Sequence, residues 1–174
     1  MKSRLIPVLG ALLLLAGCGQ QRIILCPGAA ILADTATAPI FRPGAPLDLS
    51  AVAYTATVTD VKTSCTFDRL AGETFSDLDV GFRATRAPSA DAARLTLNYF
   101  ITVNAGERVL SKKMQTVTFD FAPGATLAIA QLSPDRQVLD LERGHLPTDY
   151  QMLIGFQLTP EQLAFSRKMS PFAP

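Results

Sequence analysis

Apolar and polar residues alternate with a period of two along most of this chain. Leu95, Leu97, Tyr99, Ile101 and Val103 carry the clearest run. Val52, Tyr54, Ala56 and Val58 alternate with Ala53, Thr55, Thr57 and Thr59, and Leu78, Val80, Phe82 and Ala84 alternate with Asp77, Asp79, Gly81 and Arg83. A period of two buries one face and wets the other, so each run predicts a half-buried strand. Residues 29–34 predict a first, edge strand. Residues 35–46 read as loop, broken by Pro39, Pro43 and Pro46. Within 48–68, Asp60-Val61-Lys62 predicts a hairpin turn, with Cys65 and Phe67 on one face of the returning strand. Residues 70–74 connect to the next strand. Asn104-Ala105-Gly106 predicts another hairpin, with Gly106 left-handed. In 109–121, Val117, Phe119 and Phe121 share a face, and Lys112 and Lys113 mark an edge. Leu127 with Ile129, residues 138–142, and Tyr150, Met152, Ile154 and Phe156 predict the remaining strands.

The pattern changes once, near the C-terminus. Thr159-Pro160-Glu161-Gln162 reads as a capping box with Pro at the first helical position. It predicts a helix over 160–168, where Arg167 and Lys168 suit the negative end of the dipole. Eight or nine short strands with frequent turns indicate a β-sandwich or barrel. Leu146-Pro147-Thr148-Asp149-Tyr150, followed by Met152, Ile154 and Phe156, resembles the strand that carries the tyrosine corner in fibronectin type III and other immunoglobulin-like domains. The resemblance implies that the Tyr150 hydroxyl bonds an upstream backbone group; the alternative is a Tyr that only packs. The fold class expected is all-β, an immunoglobulin-like antiparallel β-sandwich with a short C-terminal helix.

The start of the chain does not belong to that domain. Lys2 and Arg4 precede an apolar run, Leu5 to Ala16, that leads into Leu15-Ala16-Gly17-Cys18. A basic tip, an apolar stretch and small residues make a secretory signal. The run is far shorter than the roughly 20 residues a crossing helix needs. Cys18 directly after Leu-Ala-Gly resembles a bacterial lipobox. The resemblance implies cleavage before Cys18 and acylation there, with palmitate among the acyl chains. Gly19, where Asp would favour the inner membrane, points to the outer membrane, periplasmic face. The organisation expected is 1–17 signal peptide, 18–28 lipidated tether and 29–170 sandwich with its helix. Cys26 and Cys65 remain, an even pair in an oxidising compartment, and predict a disulfide closing a loop of about 40 residues, for roughly 4 kcal/mol. Two unpaired buried thiols are the alternative.

Composition narrows function without naming it. The 16 Lys and Arg nearly balance 15 Asp and Glu, and Lys2 and Arg4 leave with the signal. A near-neutral chain argues against nucleic acid as partner. No Cys-x-x-Cys stands near the single His145, so no metal site or cofactor is expected. His145 is a candidate general base, Asp77 with Asp79 and Asp140 with Glu142 are candidate carboxylate pairs, and Arg83, Arg86 and Arg94 a candidate anion site. Each also reads as solvated charge, and no catalytic residue is assigned. The helix, with Leu163 and Phe165, either covers an open edge or docks a partner. Gln157 and Gln162, at its junction, are where buried hydrogen bonds are expected.

The lipobox at Cys18, Cys26-Pro27 close behind it, Cys65 in a strand, and residues 155–163 (Gly-Phe-Gln-Leu-Thr-Pro-Glu-Gln-Leu) together resemble small uncharacterised lipoproteins of alphaproteobacteria. That resemblance implies no activity. The function expected is a non-enzymatic, outer-membrane-anchored envelope accessory that binds a protein partner. The alternatives are a small-ligand or ion carrier, which needs a sizeable apolar pocket, and an enzyme.

Overall fold

The computed structural model describes residues 26–169. Strands β1 (Gly28–Ile31), β2 (Thr37–Phe41), β3 (Val52–Asp68), β4 (Glu73–Arg86), β5 (Ala93–Ala105), β6 (Arg108–Phe121), β7 (Leu127–Leu132), β8 (Gln137–Asp140) and β9 (Tyr150–Phe156) precede one helix, α1 (Pro160–Met169). They build two packed sheets. One has the order β1-β9-β5-β6; the other has β2-β3-β4, with β7 and β8 both pairing to β4. The chain is a β-sandwich with a short C-terminal helix.

The period of two decides what lies between the sheets. Tyr99, Ile101 and Val103 of β5, Val117, Phe119 and Phe121 of β6, and Met152, Ile154 and Phe156 of β9 are buried. They meet Ala56 and Val58 of β3 and Leu78, Val80, Phe82 and Ala84 of β4. Phe82 lies 4.9 Å from Tyr99 and 5.8 Å from Phe156 between ring centroids, inside the range of favourable tilted pairs.

Several local expectations are corrected. The chain does not turn at 60–62; β3 runs straight through. A bulge between Val58 and Asp60 adds one residue opposite Gly81. It moves the inward positions from even numbers (Ala56, Val58) to odd ones (Val61, Thr63, Cys65, Phe67), a phase change that imitates a turn in the sequence. Gly81 makes room for it: a Cβ there would lie 2.8 Å from the Asp60 carboxyl carbon and from Thr59 Oγ1. Residues 35–46 are not all loop, because β2 lies within them and includes Pro39. The Val58 N–H donates to Ala36 O at 2.9 Å, so 36, 38 and 40 face β3 while Pro39 faces the free edge, where no N–H is needed. The first strand ends at Ile31 in a short 3-10 turn, and β8 stops at Asp140, leaving Glu142 outside it. Gly106 is left-handed, φ 57°, as its hairpin requires.

The tyrosine corner is present. The Glu142 N–H donates to Tyr150 Oη at 2.8 Å, and Tyr150 is buried at the start of β9. In an immunoglobulin-type sandwich the final strand lies beside that one. Here β1 takes the place and runs parallel to β9, pairing Ala29 with Met152 and Ile31 with Ile154. The expected antiparallel fold thus contains one parallel pair. Cys26, just before β1, is bridged to Cys65 of β3, with Cα atoms 5.6 Å apart and a sequence separation of 39.

Candidate functional site

The most distinctive concavity lies where α1 rests on β2. The capping box forms: the Thr159 N–H donates to Gln162 Oε1 at 2.9 Å, and the Gln162 N–H donates to Thr159 Oγ1 at 3.2 Å. The Gln162 amide then reaches across, its Nε2 donating to Pro39 O at 2.7 Å. Ser166 Oγ donates to Thr37 O at 3.3 Å. Thr37 and Pro39 are the edge residues whose carbonyls find no partner strand, so the helix satisfies them. Phe165 meets Phe41 edge-to-face at 5.1 Å, and Arg167 Nε pairs with Asp34 Oδ2 at 2.8 Å.

Between helix, β2 and the start of β3 lies a groove of about 540 Å³. Pro39, Leu49, Val52, Phe165 and Met169 give it an apolar lining, and Asp34 stands at its wall already paired with Arg167. Leu49 is presented by a 3-10 turn that Asp48 caps. Asp48 Oδ1 accepts from the Ser50 N–H at 2.8 Å and the Ser50 hydroxyl at 2.6 Å. The Ser50 hydroxyl holds the Asp48 carboxyl below its usual range. The turn leaves Leu49 65% exposed, and Met169 is 50% exposed. An apolar lining of this kind suits an apolar side chain or ligand.

The sequence-derived candidates lie elsewhere. Cys18 falls outside the described residues. His145 is exposed in the β8–β9 connection, its ring 6.2 Å from that of Tyr150. Asp77 is held by a two-pronged contact from Arg136 at 2.8 and 2.9 Å, whose hydrogen bonds depress its carboxyl pKa. Asp79 accepts from Ser133 Oγ. Glu142 pairs with Arg108, which lowers its pKa first by hydrogen bonding and then by charge. Asp140 sits opposite Glu73. The Asp77 and Asp79 pair shares the outer face of β4 as expected, while Asp140 and Glu142 do not share a strand.

The three arginines serve three separate ends. Arg83 points outward between Thr57 and Ile129. Arg94 pairs with Asp120 at 2.6 Å. Arg86 corrects its reading as solvated charge: it donates to Ala125 O, Asp91 O and Ala122 O and stacks 4.9 Å over Phe121, tying two turns together. Of the two junction glutamines, Gln162 makes the half-buried bonds, and Gln157 accepts from Lys112 Nζ at the surface. Among the described residues no group of three or more His, Cys, Asp or Glu is placed to hold a metal, and no helix is long and apolar enough to cross a membrane.

Sequence reasoning placed Phe165 on the helix but missed Leu49, Val52 and Met169 as its neighbours. The available signal was Pro46-Leu47-Asp48-Leu49, where a capping Asp leaves two leucines in a turn. Comparison with known proteins finds no match: no protein family, no curated protein and no solved structure.

Proposed function

We propose that this chain is a lipoprotein anchored through Cys18 in the outer membrane, facing the periplasm, and that it is a non-enzymatic accessory whose groove beneath α1 receives an envelope protein. The observation that carries this reading is the apolar, open groove built by a helix docked on an edge strand. An exposed Leu49 and Met169 beside a concavity are what a protein-binding surface presents. His145 and the candidate carboxylates lie away from the groove, and Asp77, Asp79 and Glu142 are held by Arg136, Ser133 and Arg108.

The position of the groove supports the same reading. Val52 opens β3 and lines the groove, while Cys65 near the other end of β3 bonds Cys26. Thirteen strand residues put them on the order of 40 Å apart. With an anchor at Cys18, eight positions before Cys26 in sequence, the Cys26 end would lie nearer the membrane and the groove would face the periplasm. A second reading is a carrier of a small apolar ligand. The groove's volume favours it, because about 540 Å³ lies within the 300–1,000 Å³ typical of ligand sites.

The test is a crosslinked pull-down from membranes with three baits: the wild-type chain, a Cys18→Ser chain and a Leu49→Asp chain. Mass spectrometry of the N-terminal peptide reads acylation separately. One envelope protein enriched by wild type and lost with Leu49→Asp, while acylation persists, supports the accessory reading. Equal capture by both sinks the groove as the binding surface. No specific partner, with an apolar molecule co-purifying in native mass spectra, replaces it with the carrier. An N-terminal peptide without acyl mass refutes the anchor.

A further inference from the structure

We propose that the β9 edge is a strand-acceptor site, filled in cis by β1 and open to β1 of a second copy of this chain when the Cys26–Cys65 bridge is reduced. Four observations carry the inference. First, among the described residues no strand follows β9, because the segment beyond Phe156 becomes α1 and is held on β2 by Gln162 and Ser166. The edge of β9 therefore depends on a strand from elsewhere in the sequence. Secondly, that strand is only four residues, Gly28–Ile31, extended by the Leu32 N–H donating to Ile154 O at 2.9 Å.

Thirdly, the acceptor edge is apolar. Met152 and Ile154 are fully buried, and β1 lays Ala29 and Ile31 beside them. Without β1, both would border water, along with the unpaired backbone of β9, a template for an incoming strand. Fourthly, among the described residues β1 is joined covalently to the rest of the domain at two places. One is the short crossing from Leu32 to Ala36 that leads into β2; the other is the bridge from Cys26 to β3. A short connection between an exchangeable strand and its domain is the arrangement that exchanges between copies at low cost.

The bridge fixes the choice. While it is closed, β1 is covalently bound to its own sandwich and the exchange is forbidden. Both cysteines are half-buried, within reach of solvent. A dithiol reductant transfers two electrons and two protons to the bridge. The S–S bond breaks to two thiols, and the reductant becomes a disulfide. The crossing then opens, and β1 of each copy pairs with β9 of the other, recovering the same backbone bonds and the same burial.

The experiment mixes two full-length chains, Cys26→Ser and Cys65→Ser, at high concentration and reoxidises them. A bond between Cys26 of one chain and Cys65 of the other forms when β1 crosses between copies. The expected result is a covalent heterodimer on a non-reducing gel, with the Cys26–Cys65 linked peptide identified by mass spectrometry. No such heterodimer, or 26–26 and 65–65 links in equal yield, overturns the proposal. A second measurement uses the wild-type chain alone at high concentration and reads its mass by light scattering, with hydrogen exchange, before and after dithiothreitol. A dimer after reduction only, with β9 still protected, is expected. A monomer in both states, or loss of protection everywhere, overturns it and also covers the case in which a Ser variant fails to fold.

Discussion

The two ends of the described chain close two open edges of the sandwich by different physical means. At the N-terminal flank, β1 seals β9 with main-chain pairing and a covalent bridge. At the C-terminal flank, α1 seals β2 with side-chain hydrogen bonds to Thr37 and Pro39 carbonyls and one aromatic contact. A strand supplies donors and acceptors at regular spacing, so it completes a sheet and its core. A helix supplies neither from its backbone, so it covers an edge through whichever side chains reach it, and the imperfect fit leaves the groove. Function is proposed at the loose flank and exchange at the tight one. The difference follows from what each element offers to an edge.

The largest expected effect removes the covalent part of the tight flank. Cys26→Ser with Cys65→Ser should lower the unfolding free energy by about 3–5 kcal/mol, read as a lower urea midpoint, because a loop of 39 positions regains its freedom in the unfolded chain. A loss under about 1 kcal/mol would mean that strand pairing alone holds β1.

Next comes the crossing. Thr35 packs against Gly155, where an added Cβ would overlap the Thr35 hydroxyl and stand 2.9 Å from its Cβ. Gly155→Ala should cost about 1–3 kcal/mol by overpacking, and Thr35→Ala should recover part of it in a double-mutant cycle. An unchanged melting temperature would show that the crossing is loose.

The loose flank should give way more cheaply. Gln162→Glu keeps the acceptor that caps Thr159 but removes the amide donor and sets a carboxylate against Pro39 O. It should cost about 1–2 kcal/mol and unmask β2 to hydrogen exchange while leaving helix content intact. Thr159→Ala removes the cap instead, for about 1 kcal/mol, and should lower helix content. If the two variants behaved alike, docking and helix formation would be a single event.

The smallest effect is electrostatic and belongs to neither flank. Arg136 lowers the Asp77 carboxyl and Arg108 lowers the Glu142 carboxyl. A lowered folded pKa contributes stability that is present above the unfolded carboxylate range, about pH 4, and is lost as pH falls through the folded value. Asp77→Asn and Glu142→Gln should flatten the acid limb of a melting-temperature profile by lowering it slightly above about pH 6 and leaving its acid end as in the wild type. Both pairs are exposed, so the difference should be slight.

The sequence exposed some of this directly and hid the rest for identifiable reasons. Leu95 to Val103 and Tyr150 to Phe156 announced themselves because each alternates without interruption. β3 was misread because the bulge beside Gly81 shifts its phase, and a phase shift and a turn look alike in one dimension. β2 was missed because Pro39 forbids a central strand and permits an edge one, and which strand is an edge is not a local property. Of the site, Phe165 and Gln162 were legible from the helix pattern. Leu49 and Val52 were not, because nothing short of the fold says that the start of β3 lies under the C-terminus.

By itself the sequence determined the alternating strands and their faces, the capped helix and the pairing of Cys26 with Cys65. These rest on period, residue geometry and parity, which a chain carries along its length; the tyrosine corner was legible only as a resemblance. Only the tertiary structure decided that β1 stands parallel to β9 where a final strand would lie, that α1 covers β2, and that a groove remains between them. Those outcomes depend on which edges are left unpaired after the long hairpins have formed, and an unpaired edge exists only once the sheets do.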